Sequence, residues 1–266
     1  MHLKRWLTGI ISVPVLIFIV GYGPRWGFLA LLCAVAIVGM FEFYALTEIQ
    51  APRSVLGVNI LMTILLFLAL TMRQVMFIPV IILIYVLFPM IFFVFARKPP
   101  DKTLTVQMTT SVFGAIYLSL PLVLLALIHF RAMGRWWVFF LLVVVFAGDT
   151  GAFYTGRAFG KHKLHRTVSP GKTWEGAVGA LLSSLMAAVL FLSFIPLSPW
   201  GIDMLVLVAI LSASAQIGDL AESLLKRNHG IKDSGQILPG HGGILDRIDG
   251  LLFAIPVLFV YLLLNF

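Results

Sequence analysis

From position 75 to position 95 the chain runs without one charged side chain, and comparable apolar stretches recur along its length. About 20 such residues, rising 1.5 Å each as a helix, cross the hydrocarbon layer of a bilayer. A transmembrane barrel would need ten-residue strands of alternating polarity, and these runs are continuous instead. Composition agrees: 61% of the 266 residues are apolar and 11% charged, with a mean hydropathy of +1.05. Soluble domains carry roughly 45–50% and about 25% respectively, so too few charges are present to cover a water-soluble globule. The expected fold is all-α, a polytopic integral membrane protein.

Reading the apolar runs in order gives about nine spans, near 6–23, 26–46, 54–72, 75–95, 107–129, 136–156, 175–196, 201–225 and 243–266. Lys4-Arg5 before an apolar run imitates a signal peptide, but no small-x-small cleavage site follows. The segment is expected to be a retained first helix. Placing the N-terminus in the cytoplasm puts 15 of the 19 Lys and Arg on the inner side, leaving Arg25, Arg73, Arg131 and Arg135 outside. Basic residues favour the cytoplasmic face, so the expected topology is N-terminus cytoplasmic and C-terminus outside. The net charge of +8 then reads as loop bias toward an anionic membrane surface, with no nucleic-acid partner. The single Cys33 excludes an intrachain disulfide.

Eight of the 11 acids lie from Asp149 onward, so the chemistry is expected in a catalytic region 136–266, with cytoplasmic loops 157–174 and 226–248. Asp149 and Asp219 each precede the cytoplasmic end of a span by about seven residues, roughly 10 Å of helix. Asp246 and Asp249 open the last span from the same side. A carboxylate at a helix centre costs on the order of 2.5–3.5 kcal/mol to insert. Structural ion pairs are one account of the group. Several carboxylates at one depth, with few bases there, are better explained by a hard cation such as Mg²⁺, which takes one or two carboxylates plus substrate phosphates. Asp219 and Glu222, like Asp246 and Asp249, are spaced i, i+3 and share a face. Asp219 and Asp246 are the expected metal ligands, with Glu222 and Asp249 behind them.

Both inner loops of this half are basic. Lys161 and Lys163 read first as positive-inside decoration. Ser169-Pro170-Gly171-Lys172-Thr173 is expected to form a tight turn feeding a helix N-terminus, where free N–H groups and the dipole favour phosphate. Its GKT is not a P-loop: the required upstream glycine is Arg166, and no strand is expected before it. In the second loop, Pro239-Gly240-His241-Gly242-Gly243 lies directly before the carboxylate-bearing helix, where glycines let backbone N–H groups approach an anion.

The 27 residues from Ser223 to Asp249 resemble the signature of the phosphatidate cytidylyltransferase (CDP-diacylglycerol synthase) family. The matching positions are Ser223, Leu225-Lys226-Arg227, Lys232-Asp233, Pro239, His241-Gly242-Gly243, Asp246-Arg247 and Asp249. Gly148 to Phe153 and Ser169 to Gly176 are similar to the family as well. The resemblance implies CMP transfer from CTP to phosphatidic acid with release of pyrophosphate. It implies dependence on Mg²⁺, and it allows a second, monovalent cation such as K⁺. It implies metal on Asp219 and Asp246, catalytic roles for Lys172, Arg247 and His241, and substrate contacts for Lys226, Arg227, Lys232, Asp149, Ser169 and Asp249. His241 has an equal alternative role in orienting its glycine-rich loop. The implied location is a bacterial inner membrane, with the site facing the cytoplasm.

Two other classes stay open. One is a related CTP user, of the CDP-archaeol synthase or polyprenol kinase type. The other is an ion-coupled transporter, which the one-sided acids and the lack of an internal repeat disfavour. Residues 1–135 contain Glu42 and Glu48 but no clustered polar pattern, so they are expected to build a lipid-facing scaffold, with room for a homodimer interface.

Overall fold

The structure is a computed structural model that describes residues 13–47, 52–96, 102–199, 201–231, 234–235 and 242–265. Residues 13–21 form helix α1. It is followed by α2 (Arg25–Leu46), α3 (Arg53–Thr71), a single 3₁₀ turn (Val75–Phe77), α4 (Ile78–Phe95), α5 (Lys102–His129) and α6 (Gly134–Phe159). Strands β1 (Lys163–His165) and β2 (Ser169–Thr173) come next, then α7 (Trp174–Phe194), α8 (Ile202–Asn228) and α9 (Leu245–Asn265). Among the described residues eight helices are long and apolar enough to cross a membrane. The further expected span, over 6–23, lies partly outside the described residues, and α1 is its described part. Helix α5 begins five residues before the apolar edge at 107, and α6 and α8 each run three residues past theirs. Hydropathy marks the lipid boundary, whereas backbone hydrogen bonding continues about a turn beyond it.

One expectation is corrected between α6 and α7. Ser169–Thr173 is not a turn but an extended strand, paired antiparallel with β1; the turn lies at 166–168. The all-α class stands with this small hairpin as its exception.

The chain divides into two compact units, Met1–Ala126 with Asp233–Leu245, and Leu127–Lys232 with Asp246–Phe266. The first has a polar interior. Asn59 Nδ2 donates to Tyr44 Oη (3.0 Å) and to the Ser111 carbonyl (3.2 Å), and Tyr44 Oη donates to the same carbonyl at 2.6 Å. Thr63 and Tyr85 share a hydroxyl–hydroxyl bond of 2.7 Å. These contacts join α2, α3, α4 and α5. Each helix contributes only one or two such groups, so the cluster exists in space and not along the chain.

The second unit is assembled through small residues, which let helix backbones approach where apolar burial gives no net drive. A Cβ on Gly148 would sit 2.6 Å from Ser184 Oγ, and one on Gly179 would collide with Thr155. Ser184 Oγ donates across the α6–α7 contact to the Val144 carbonyl at 2.9 Å. Helices α8 and α9 meet at Gly218, where a Cβ would lie 2.5 Å from the Asp249 carbonyl oxygen, and at Gly250 against Ala215. Large apolar side chains such as Met186, Phe194 and Ile202 remain exposed, the surface expected of helices that face lipid.

Candidate active site

The close α6–α7 and α8–α9 contacts set the level of the acids. Asp149 lies ten residues before the end of α6 and Asp219 nine before the end of α8, about 14–15 Å of helical rise in each case. Asp149 follows Gly148, the residue packed against Ser184, and its side chain is exposed. Among the described residues it makes no ion pair or hydrogen bond. Its charge nevertheless interacts with those of Asp219, Asp249 and Lys172.

On α8 the positions Asp219, Glu222 and Lys226 recur at three and four residues and therefore share a face. Lys226 Nζ lies 3.0 Å from Glu222 Oε2 and 2.8 Å from Asp246 Oδ1, so one ammonium bridges α8 and α9. The bridge is largely shielded: Glu222 is 1% exposed, Asp246 12% and Lys226 13%. Lys226, expected to cradle a substrate phosphate, holds two carboxylates in this structure. Asp249 Oδ1 accepts the Gly250 N–H at 2.7 Å, and its carboxyl approaches that of Glu222. Glu222 Oε1 is buried without a hydrogen-bond donor.

Lys172, in β2, places Nζ 2.6 Å from Asp219 Oδ2. The two groups form an ion pair, and the nitrogen is buried. The hairpin aims it. Strand β2 pairs with β1 (Lys163 opposite Thr173, His165 opposite Ser169), and Thr173 caps α7 by accepting the Gly176 N–H at 3.1 Å. That cap uses one N–H the sequence had left for phosphate. Glu175 in the first turn of α7 takes the His162 ring at 2.6 Å, which clips the start of the hairpin to the helix. Arg227 donates to the Val168 carbonyl (3.4 Å) and the Ile231 carbonyl (3.3 Å), tying the hairpin turn to the end of α8. Ser169 opens β2, and Arg247 is exposed in the first turn of α9. Lys232 and His241 lie outside the described residues.

The second unit therefore gathers Asp149, Asp219, Glu222, Asp246 and Asp249 with Lys172 and Lys226. Among the described residues no three metal-binding side chains converge into a complete cage. The donor chemistry nonetheless fits a hard cation held by one or two carboxylates together with substrate phosphates. All the acids offer oxygen, and Glu222 Oε1 is buried without a donor.

One buried acid, named in the sequence without a role, is placed by the structure. Glu42 of α2, in the first unit, is 3% exposed. Its carboxylate accepts the N–H of Ile244 (3.0 Å) and of Leu245 (2.8 Å). The available signal was the one applied to Asp219, a carboxylate inside an apolar span.

Comparison with known proteins gives a consistent picture. A family model described as the cytidylyltransferase family matches residues 3–265. The chain is similar to the phosphatidate cytidylyltransferase of Staphylococcus saprophyticus subsp. saprophyticus, 46% identical over 133 residues (50% of this chain, 51% of the relative). It is similar to that of Haemophilus influenzae, 46% identical over 127 residues (46% and 44%). The Staphylococcus aureus (strain COL) protein of the same name is 44% identical over 133 residues (50% and 51%). The matched stretch spans about half the length of these relatives.

Proposed function

The chain belongs to the cytidylyltransferase family, and within it we propose that this protein transfers CMP from CTP to phosphatidic acid, giving CDP-diacylglycerol and pyrophosphate for membrane phospholipid synthesis. The observation that carries the reading is the interleaving of five carboxylates with Lys172 and Lys226 on β2, α6, α8 and α9 of one unit. The similarity to proteins named phosphatidate cytidylyltransferase supplies the substrate pair.

The chemistry asks little of the protein beyond position and charge. A phosphatidate oxygen attacks the α-phosphorus of CTP; the new P–O bond forms as the bond to the β-phosphate oxygen breaks, and pyrophosphate leaves with the electron pair. The attacking oxygen is already anionic, so no base or protein nucleophile is needed, and catalysis reduces to alignment and neutralisation. Asp219 and Asp246 would hold Mg²⁺, which when bound neutralises phosphate charge. Asp149, exposed at the same level, lines the space beside Asp219. Lys172 changes partner from the Asp219 carboxylate to a phosphate oxygen, and its place on a paired strand limits how far it has to move. Arg247 and Arg227 add positive charge on the side where CTP arrives.

We place this side in the cytoplasm of a bacterial inner membrane, in keeping with the distribution of basic residues and with the polarity of CTP. The test is conversion of labelled CTP by detergent-solubilised protein given phosphatidic acid, with and without EDTA. CDP-diacylglycerol formation that EDTA abolishes is expected. Incorporation into another lipid, or turnover indifferent to chelation, would refute the reading.

A further inference from the structure

The start of α9 has an unusual cap. The first N–H groups of a helix have no partner inside it, and a Ser, Thr, Asp or Asn just before the helix normally supplies one. Here the residue before α9 is Ile244, whose side chain has no acceptor. The acceptor arrives from far away in sequence. Glu42 of α2 takes the Ile244 N–H on Oε1 at 3.0 Å and the Leu245 N–H on Oε2 at 2.8 Å, across 202 and 203 residues respectively. A negative charge at a helix N-terminus is also favoured by the dipole.

The fit around this carboxylate is close. A Cβ on Gly235 would sit 2.7 Å from Glu42 Oε1, and a Cβ on Gly243 2.5 Å from Oε2. Ser234 Oγ lies 3.5 Å from Oε2. Glycine is needed at both places because backbone, not side chain, closes on the acid. A charged group inside an apolar span is costly and is kept for a task. The N–H groups that it holds belong to the two residues immediately before Asp246.

We infer that Glu42 is a positioning residue for the proposed transfer: its carboxylate fixes the first turn of α9 and, through the covalent chain, the placement of Asp246. Its action is through the main-chain N–H groups of Ile244 and Leu245. The inference rests on the reading of Asp246 given under the proposed function.

Glu42→Gln tests it. The amide keeps the shape but removes the charge, and it can accept only one of the two N–H groups in place. In detergent-solubilised protein, hydrogen exchange of the backbone amides at 244–249 should accelerate at least tenfold, with exchange elsewhere in α3 and α4 unchanged. The kcat should fall 10–100-fold, KM for phosphatidic acid should stay within twofold, and the Mg²⁺ concentration giving half-maximal activity should rise several-fold. Gly243→Ala, whose methyl would press on the carboxylate, should reproduce the local exchange change with Glu42 intact. Unchanged exchange at 244–249 in both variants overturns the inference, and so does loss of protection throughout the protein, which would give Glu42 a general folding role. Parent protein that makes no CDP-diacylglycerol, but in which Glu42→Gln exposes those amides locally, refutes the proposed reaction and leaves the cap standing.

Discussion

Removing Lys226 should destabilise the protein mainly through the carboxylates it leaves behind. Its ammonium sits 2.8 Å from Asp246 and 3.0 Å from Glu222, with the lysine side chain only 13% exposed. Solvent and salt therefore screen the bridge poorly. Deleting one partner of a buried ion pair costs about 3–5 kcal/mol, because the remaining charge is uncompensated. Lys226→Met preserves most of the side-chain volume, so the loss reads as electrostatic and not as a cavity. At roughly 2–4 °C per kcal/mol for a chain of this size, the melting temperature should fall by about 6–20 °C. Glu222→Gln alone should cost less than about 1 kcal/mol, since Lys226 keeps Asp246 and can still donate to the amide oxygen. The double variant should recover about 2 kcal/mol relative to additivity, the scale of coupling between residues in one buried network. Thermal unfolding of the four detergent-solubilised proteins, read by the fraction surviving gel filtration, completes the cycle. A loss under about 1 kcal/mol for Lys226→Met, or strict additivity in the double variant, would show that the ammonium does not tie α8 to α9 energetically.

Asp219→Asn and Asp246→Asn should each reduce turnover more than tenfold, over ~1.4 kcal/mol of barrier, with yield and gel-filtration profile kept; residual activity above a tenth removes that residue from the metal-holding role. Lys172→Ala should cost on the order of 2–4 kcal/mol in kcat/KM, the range for one preorganised donor, whereas Lys161→Ala and Lys163→Ala, both exposed, should cost a few tenths that shrink as salt rises; equal, salt-sensitive losses at all three would make the loop a diffuse basic field. Gly218→Ala puts a methyl 2.5 Å from the Asp249 carbonyl oxygen and should destabilise by about 1–3 kcal/mol, checked by the same thermal assay; an unchanged melting temperature would mean that α8 and α9 separate easily. Lys161→Cys in a Cys33→Ala background should label with an impermeant thiol reagent in inside-out vesicles and stay protected in intact cells; the reverse pattern would invert the topology.

The bilayer made much of this fold readable in advance. A span needs some twenty apolar residues in a row, so α2 to α9 could be placed to within a few residues from hydropathy alone. The acids of α6, α8 and α9 stood out for a related reason: each is costly in an apolar run, and their distances to the helix ends put them at one depth. Their partners were less legible. Lys226 and Asp246 are 20 residues apart and Lys172 and Asp219 are 47 apart, and nothing in spacing says that an ammonium expected to wait for phosphate rests on a carboxylate. The hairpin was hidden by its brevity. Two strands of three and five residues carry no usable alternation, and Pro170-Gly171 reads as a turn until the pairing of Lys163 with Thr173 makes it a strand.

Glu42 shows where such reading stops, and why. The cost of burying an acid flags Glu42 as firmly as it flags Asp219, yet only Asp219 has charged companions nearby in sequence to suggest a function. The donors that satisfy Glu42 are the main-chain N–H groups of Ile244 and Leu245, and every non-proline residue carries such a group. No side-chain pattern can announce them. Two lesser signs did exist. Ile244 opens a helix without a side-chain acceptor, which requires a donor-accepting group from elsewhere, and Gly235 and Gly243 leave room for one. Among the described residues, a buried acid without a base and a helix start without a side-chain cap are complementary deficits, and pairing such deficits across a sequence is a physical search that needs no charge cluster to begin. In this chain that search joins α2 to Ile244 and Leu245, the two residues that precede Asp246.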